Sequence, residues 1–107
     1  MASFDKGFNE VLFDCFDKAA SSILGKDGVY TFYYAIQERH NMPVESFPQK
    51  PLVVLEYLKE FLGEAGYALI EHAIISEVKH TFGIRSETTD IDALTKQAKL
   101  SYLSRSF

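Results

Sequence analysis

The chain has 107 residues, which is the size of one domain and leaves no room for two independent hydrophobic cores. Hydrophobic residues make up 47% of it and charged residues 24%, a balance that is typical of a soluble globular domain and excludes a disordered chain. The formal net charge of −4 argues against binding of duplex nucleic acid through phosphate contacts, since that mode requires a basic face. We therefore expect a single domain, residues 1–107, with no nucleic-acid partner.

Neither a membrane-spanning segment nor a secretory signal is expected from the sequence. It contains no run of about 18 apolar residues, and its first residues lack the basic and apolar regions of a signal peptide. The single cysteine, Cys15, cannot form an internal disulfide and suits a reducing compartment. These features predict a cytoplasmic protein that does not contact a membrane.

The spacing of apolar residues predicts an all-α fold, a helical bundle of four core helices with a fifth helix at the C-terminus. The first predicted helix runs from Phe4 to Leu24 with Ser3 as its N-cap, and Gly25 ends it. Its buried stripe, which recurs every three or four positions, consists of Phe4, Phe8, Val11, Leu12, Cys15, Phe16, Ala19 and Ile23.

The second predicted helix runs from about Asp27, its N-cap, to Arg39. Residues 29–34 are β-branched or aromatic and would also suit a strand, but the amphipathic pattern continues to Arg39 and favours a helix. Residues 40–50 include two prolines and predict an ordered loop with one helical turn at residues 44–46. The apolar face of the second helix comprises Val29, Phe32, Tyr33 and Ile36.

The third predicted helix begins with Pro51 and ends at Gly63. A short turn at residues 64–66 brings the fourth helix, Gly66 to Phe82, back against it as an antiparallel neighbour. The predicted apolar faces are Leu52, Leu55, Leu58, Phe61 and Leu62 on the third helix, and Leu69, Ile70, Ala73, Ile74, Ile75 and Val78 on the fourth.

The fifth predicted helix runs from Ile91 to about Leu103 after a polar connector. The segment that follows Asp92 has no acids but several bases, so it is either a solvated lid or a helix that docks on the acidic body of the same or a second subunit. No internal repeat with a period of about 20–50 residues is apparent. The stripe of this helix is Ile91, Leu94, Ala98 and Tyr102, and its bases are Lys96, Lys99 and Arg105.

Few residues are arranged for catalysis or metal binding. Glu77 and His80 have the spacing of one half of a di-metal helix motif, but such bundles use two copies with additional Glu residues. His72 and His80 are about 12 Å apart along a helix, too far to share a metal ion. Cys15 lies on an apolar stripe without a basic sequence neighbour to activate it. We therefore predict no catalytic residue, no metal and no cofactor.

A surplus of large apolar side chains predicts a contact surface. Tyr30 and Tyr34 form an i,i+4 pair on a flank of the second helix, where aromatic side chains either pack at the rim of a core or anchor an interface. Phe13 lies off the main stripe of the first helix, and Tyr102 belongs to the stripe of the fifth. We expect these four residues at a homodimer interface.

A pattern of packing residues and glycines extends over residues 20–83. It comprises Ile23-Leu24-Gly25, Tyr33-Tyr34-Ala35-Ile36, Asn41-Met42-Pro43-Val44, Phe47-Pro48, Leu55-x-x-Leu58-x-x-Phe61-Leu62-Gly63, and Gly66 followed by Leu69-Ile70-Glu71 and Ile74. This pattern resembles the small archaeal output domains found in signal-transduction proteins and as stand-alone chains. The resemblance implies an archaeal, cytoplasmic, non-enzymatic helical module, and it supplies no catalytic residue.

The leading hypothesis is thus a non-enzymatic helical interaction or signalling-output module that forms a homodimer and binds a protein partner. The second is a bundle that binds a lipid-like or planar small molecule in a cavity lined by Phe32, Tyr33, Leu58 and Ile74. A third hypothesis, a metal-dependent enzyme, would have to use Glu77 and His80 as its site. A fourth, a helix-turn-helix DNA-binding protein, would use the fourth helix for recognition, but that helix is too apolar to read a DNA groove.

Overall fold

The computed structural model describes residues 7–105, and within this range all regular secondary structure is helical. The all-α prediction is confirmed, with four helical elements in place of five separate helices. In chain order these are α1 (Phe8–His40), a 3-10 helix (Val44–Gln49), α2 (Pro51–Phe82) and α3 (Ile91–Arg105).

Helices α1 and α2 each bend sharply at one glycine. Gly25 has φ 78° and ψ 168°, and Gly63 has φ 76° and ψ 173°, both far from helical values. A straight helix of the 33 residues of α1 would be about 50 Å long, whereas the longest dimension of the molecule is only 40 Å. Each helix therefore consists of two segments, which we call α1a (8–24), α1b (26–40), α2a (51–62) and α2b (64–82).

The bends are shorter than the sequence predicted. Residues 64–66 were expected to form a turn, but they are helical and the chain reverses at Gly63 alone. Asp27 was expected to cap the second helix, but it lies inside α1b, because helical structure resumes directly after Gly25. A glycine with positive φ and extended ψ redirects the backbone in one residue, so no further loop residues are needed.

The ends of α1 are set by local backbone groups. Gly7 is extended and is the N-cap, so α1 begins at Phe8, while the predicted first residue, Phe4, lies outside the described residues. The Glu10 carboxylate accepts a hydrogen bond of 3.3 Å from the Gly7 amide. The predicted N-cap Ser3 lies outside the described residues. Asn41 ends the helix in the left-handed conformation, with φ 51°.

The four segments of α1 and α2 pack in a closed antiparallel ring. Each segment contacts the next one along the chain, and α2b closes the ring against α1a. The contacts that define it are the Tyr33 hydroxyl donating to Asp17 (α1b to α1a), the rings of Phe32 and Phe61 at 5.2 Å (α1b to α2a), Lys59 Nζ at 5.3 Å from the Tyr67 ring (α2a to α2b), and Lys18 Nζ at 3.4 Å from Glu77 Oε2 (α1a to α2b).

Helix α3 lies parallel to α2b. Its first residue, Ile91, lines the same groove as Tyr67, and near its other end the Ser101 hydroxyl donates to the Phe82 carbonyl at 2.8 Å. The intervening part of α2b is about 22 Å long. The connector, residues 83–90, spans about 26 Å when extended, so it runs back along the whole of α2b before α3 begins.

The hydrophobic core follows most of the predicted stripes, with four exceptions. The residues predicted on buried faces that are exposed are Ile23, Leu52, Phe61 and Leu69, the last by 67%. Helix α2b is covered by α1a, α2a and α3, and its remaining side faces solvent, so its wide apolar arc is only partly buried. The core consists of Leu12, Cys15, Phe16, Ala19, Ala20, Val29, Phe32, Ile36, Met42, Phe47, Val54, Leu55, Leu58, Tyr67, Ile70, Ile74, Ile75, Val78, Phe82, Leu94 and Ala98.

The two bends use the same local motif, a repeat too short to be apparent from the sequence. The pattern Leu-Gly-x-x-Gly occurs at residues 24–28 and again at 62–66, with nearly equal backbone angles at the first glycine. In each copy the second glycine, Gly28 or Gly66, lies against the leucine four residues before it. The fold is therefore a pair of similar helical hairpins. Buried positions that correspond between them are Phe16 and Val54, Ala20 and Leu58, Val29 and Tyr67, Phe32 and Ile70, and Ile36 and Ile74.

Replacing Gly25 by alanine tests whether the bend depends on positive φ. A Cβ there would meet no atom within 4 Å, so the cost arises from backbone strain alone. We expect Gly25→Ala to lower the free energy of unfolding by about 1–3 kcal/mol, as measured by urea denaturation. Lys99→Ala, at an exposed position of α3, is the control, and it should change stability by less than about 0.5 kcal/mol. Equal effects of the two variants would contradict this account of the bend.

Candidate functional site

The most exposed aromatic residues lie in a row along α1b. Tyr30 and Tyr34 are each 64% exposed, and neither has a hydrogen bond or a ring contact with any residue in the range 7–105. Lys26 lies four residues before Tyr30 and Glu38 four residues after Tyr34, and both are exposed. Neither charge forms an ion pair with another described residue. We call Lys26, Tyr30, Tyr34 and Glu38 the tyrosine row.

The other two residues predicted at an interface have ring partners within the chain. Phe13 is half-buried, with its ring centroid 6.0 Å from that of Tyr33 and 6.4 Å from that of Phe47. Tyr102 is half-buried against Phe8, at 5.7 Å. Both side chains therefore contribute to internal packing, and the tyrosine row is the part of the predicted surface that projects into solvent.

The four residues predicted to line a pocket lie in or beside the core. Phe32, Leu58 and Ile74 are buried, and Tyr33 is half-buried. Phe32 borders a cleft of about 10 Å³ that it shares with residues of α1b and α2a, including Tyr57. A space of this size accommodates one water molecule and not a lipid-like ligand.

Tyr33 connects the aromatic rings of Phe32 and Phe47 to the carboxylate of Asp17. Its ring lies 5.2 Å from Phe47 and 5.6 Å from Phe32, and its hydroxyl donates a hydrogen bond to Asp17 Oδ1. Burial raises the pKa of Tyr33 well above its ordinary value, and the hydrogen bond to Asp17 and the charge of that carboxylate act in the same direction. The phenol therefore stays protonated and holds α1a against α1b.

The residues considered for catalysis or metal binding are not brought together. Glu77 pairs with Lys18 across the α1a–α2b contact, whereas His80 is exposed. Nowhere between residues 7 and 105 do three His, Cys, Asp or Glu side chains converge as metal ligands would. Burial raises the pKa of the Cys15 thiol in spite of a hydrogen bond with Thr81 that lowers it, so its reactive thiolate form is disfavoured.

Two depressions flank the Lys18–Glu77 ion pair on the surface between α1a and α2b. Their volumes are about 280 and 230 Å³, and both are lined by Lys18 and Glu77. His72 lines the larger one and Cys15 the smaller one. The two histidines of α2b are therefore in different surroundings, His72 beside this depression and His80 outside both.

A larger groove, of about 320 Å³, lies between α2a, α2b and the start of α3. Acidic side chains from all three segments surround it, together with one lysine and a tyrosine, and apolar side chains complete its walls. We call it the acidic groove. Its charged and aromatic residues are Glu56, Lys59, Tyr67, Glu71, Asp90 and Asp92, and its apolar residues are Leu52, Leu55 and Ile91.

Sequence analysis did not find the acidic groove. Its acids are far apart in the chain, and they meet only because α2 folds back at Gly63 and the connector returns α3 to the level of Tyr67. The sequence signal that points toward this groove is the excess of acids up to Asp92. From the sequence alone that excess indicates only a body on which the basic C-terminal segment could dock.

No family model, curated protein or solved structure matches this chain. Among the residues that the structure describes, no helix is both long enough and apolar enough to cross a membrane.

The raised pKa of Tyr33, which burial produces together with the hydrogen bond to Asp17, makes stability depend on pH in the alkaline range. Because the pKa of Tyr33 is higher in the folded chain than in the unfolded chain, its contribution is complete below about pH 10 and is lost as the pH rises further. We expect wild-type stability to fall more steeply above about pH 10 than that of Tyr33→Phe, by at most about 1.4 kcal/mol per pH unit. Urea denaturation between pH 8 and 11 measures this difference.

Two results bear on this interpretation. Asp17→Asn, which leaves the phenol buried but removes the negative charge of its partner, should give a pH dependence between those of wild type and Tyr33→Phe. If Tyr33→Phe retains the same slope as wild type, the pKa of Tyr33 is not raised in the folded chain, and if Asp17→Asn does so, Asp17 does not contribute to raising it.

Proposed function

We propose that this chain is a non-enzymatic helical interaction module that forms a homodimer through the tyrosine row. The observation that carries the proposal is the pattern of the row itself, in which two exposed tyrosines lie between a lysine and a glutamate with a uniform spacing of four residues. Residues with this spacing form one ridge on a helix. The row is thus a continuous strip that a second helix can pack against.

The row is complementary to itself when two copies meet in antiparallel orientation. A two-fold axis midway between Tyr30 and Tyr34 would place Lys26 opposite Glu38 of the other copy and Tyr30 opposite its Tyr34. A two-fold interface repeats every contact, so both ends of the paired helices would carry an ion pair. The tyrosine rings would supply apolar area at the centre, with their hydroxyls at the wetter edge.

Parallel pairing of the same row is disfavoured. It would place Lys26 next to Lys26 and Glu38 next to Glu38, and like charges in contact oppose association. The charges therefore select the antiparallel register, while the tyrosines supply most of the affinity. Opposite charges at the two ends of the row favour a second copy of this chain as the occupant.

A role as a signalling-output domain in an archaeal cytoplasm is part of the same proposal. It is supported by the resemblance of residues 20–83 to archaeal output domains. In this chain the resemblance is carried by packing residues and by glycines that include Gly25 and Gly63. A homodimer suits that role, because a change in its association would transmit a signal to a protein partner without any chemical step.

Sedimentation equilibrium at tens of micromolar tests the dimer. We expect the wild-type chain to sediment as a dimer and the double variant Tyr30→Ser/Tyr34→Ser as a monomer with an unchanged helical circular dichroism spectrum. Leu69→Ser is the matched control, since Leu69 is equally exposed but lies on α2b, and it should remain a dimer. A monomeric wild-type chain would overturn the proposal.

Charge reversal tests the register. Lys26→Glu should weaken the dimer by about two- to tenfold, because it places two like-charge contacts at exposed positions. Adding Glu38→Lys to this variant restores opposite charges and should restore wild-type dimerisation. If the double reversal is as weak as the single one, the antiparallel pairing is wrong.

A further inference from the structure

The acidic groove has a strongly negative lining that internal contacts leave largely uncompensated. Among the described residues that line it, Lys59 is the only cation, and it lies 3.9 Å from Glu56. Asp90 accepts a hydrogen bond from the amide of Asp92 at the start of α3, so part of its role is structural. The carboxylate of Glu71, which is half-buried, has no ion-pair or hydrogen-bond partner among the residues that the structure describes.

A buried tyrosine with an unused hydroxyl opens into the same groove. Tyr67 is only 5% exposed, and its hydroxyl has no hydrogen-bond partner within residues 7–105. Every side-chain nitrogen or oxygen in that range that solvent cannot reach has a hydrogen-bond partner. The Tyr67 hydroxyl has none, so solvent reaches it, and the groove that Tyr67 lines is the space into which it opens. Its oxygen can accept a hydrogen bond there from a ligand with N–H groups.

The negative charges act together at this tyrosine. Burial raises the pKa of Tyr67 to about 12, with further contributions from the charges of Glu71, Glu56 and Asp92 in that order. The three carboxylates belong to α2b, α2a and α3 respectively. A cation that enters the groove therefore approaches negative charge from three sides.

The form of the groove selects an extended organic cation over a metal ion. Its carboxylates do not converge as a set of three metal ligands. Leu52, Leu55 and Ile91 line the same groove, and their side chains offer apolar contact to a ligand. A volume of about 320 Å³ is at the lower end of the range for small-molecule sites, which is about 300–1,000 Å³.

Lys59 shows how such a ligand is held. Its ammonium lies 5.3 Å from the centroid of the Tyr67 ring, within the range of a cation–π contact, and beside the Glu56 carboxylate. Lys59 thus occupies one position for an ammonium group and leaves Glu71 and Asp92 available for others.

We propose that the acidic groove binds a linear aliphatic polyamine. One ammonium group pairs with Glu71 and donates to the Tyr67 hydroxyl, another pairs with Asp92, and the methylene chain between them packs on Leu55 and Ile91. This site uses α2 and α3, whereas the tyrosine row is on α1b, so it does not depend on dimerisation.

Isothermal titration calorimetry with spermidine at about 0.15 M salt, where weak surface charges are screened, tests the site. We expect saturable binding of one spermidine per chain. Glu71→Gln should weaken it by about tenfold, and Tyr67→Phe, which removes only the hydroxyl, by about two- to tenfold. Lys59→Met should strengthen binding, because it removes a competing cation from the groove.

Glu45→Gln is the control, since it makes the same change of charge on the 3-10 helix outside the groove, and it should bind as wild type does. Magnesium chloride at equal ionic strength should give no saturable heat. The proposal is overturned if spermidine does not bind, if magnesium binds in the same way, or if Glu71→Gln and Glu45→Gln have equal effects. Circular dichroism of each variant confirms that it is folded, and Tyr67→Phe keeps the test open should Glu71→Gln unfold.

Discussion

The reversal of each long helix at a single glycine is the constraint on which the rest of the structure depends. Positive φ combined with extended ψ at Gly25 and Gly63 folds α1 and α2 into hairpins without loop residues. Because the partner segments then start at once, Tyr33 comes level with Asp17, and Lys59 lies over Tyr67. The second glycines, Gly28 and Gly66, allow the close approach of the preceding leucines that such tight bends impose. The closed ring, its core and both candidate sites follow from this geometry.

Much of the fold was predictable, because apolar periodicity reports which face of a helix is buried. The stripes through Leu12 and Phe16 and through Leu94 and Ala98 were confirmed. Periodicity does not report what lies opposite a helix, which is why Leu69 was wrongly placed in the core. It also does not give the length of a bend. Three residues were assigned to the turn after Gly63, since a reversal within one residue depends on backbone angles that the residue pattern does not specify.

The candidate sites were predictable to different degrees. Tyr30 and Tyr34 could be singled out because both lie within one helix, where a spacing of four residues fixes their relation. Their connection to Lys26 required knowing that α1b begins immediately after Gly25. The acidic groove combines side chains from three segments, and its assembly depends on the connector that makes α3 parallel to α2b. That relation is a property of the tertiary fold, so no local pattern of residues could have indicated that Glu71 and Asp92 line the same groove.

The contact between Phe8 and Tyr102, with ring centroids 5.7 Å apart, places the beginning of α1 beside the last turns of α3. The start of α1 and the last turns of α3 thus lie at one end of the described fold. A host protein could accept this unit within one of its surface loops with little distortion, since domain insertion is tolerated where entry and exit points are close together. Joining those two points by a short linker and opening the backbone elsewhere would give a circularly permuted protein with the same helical neighbours.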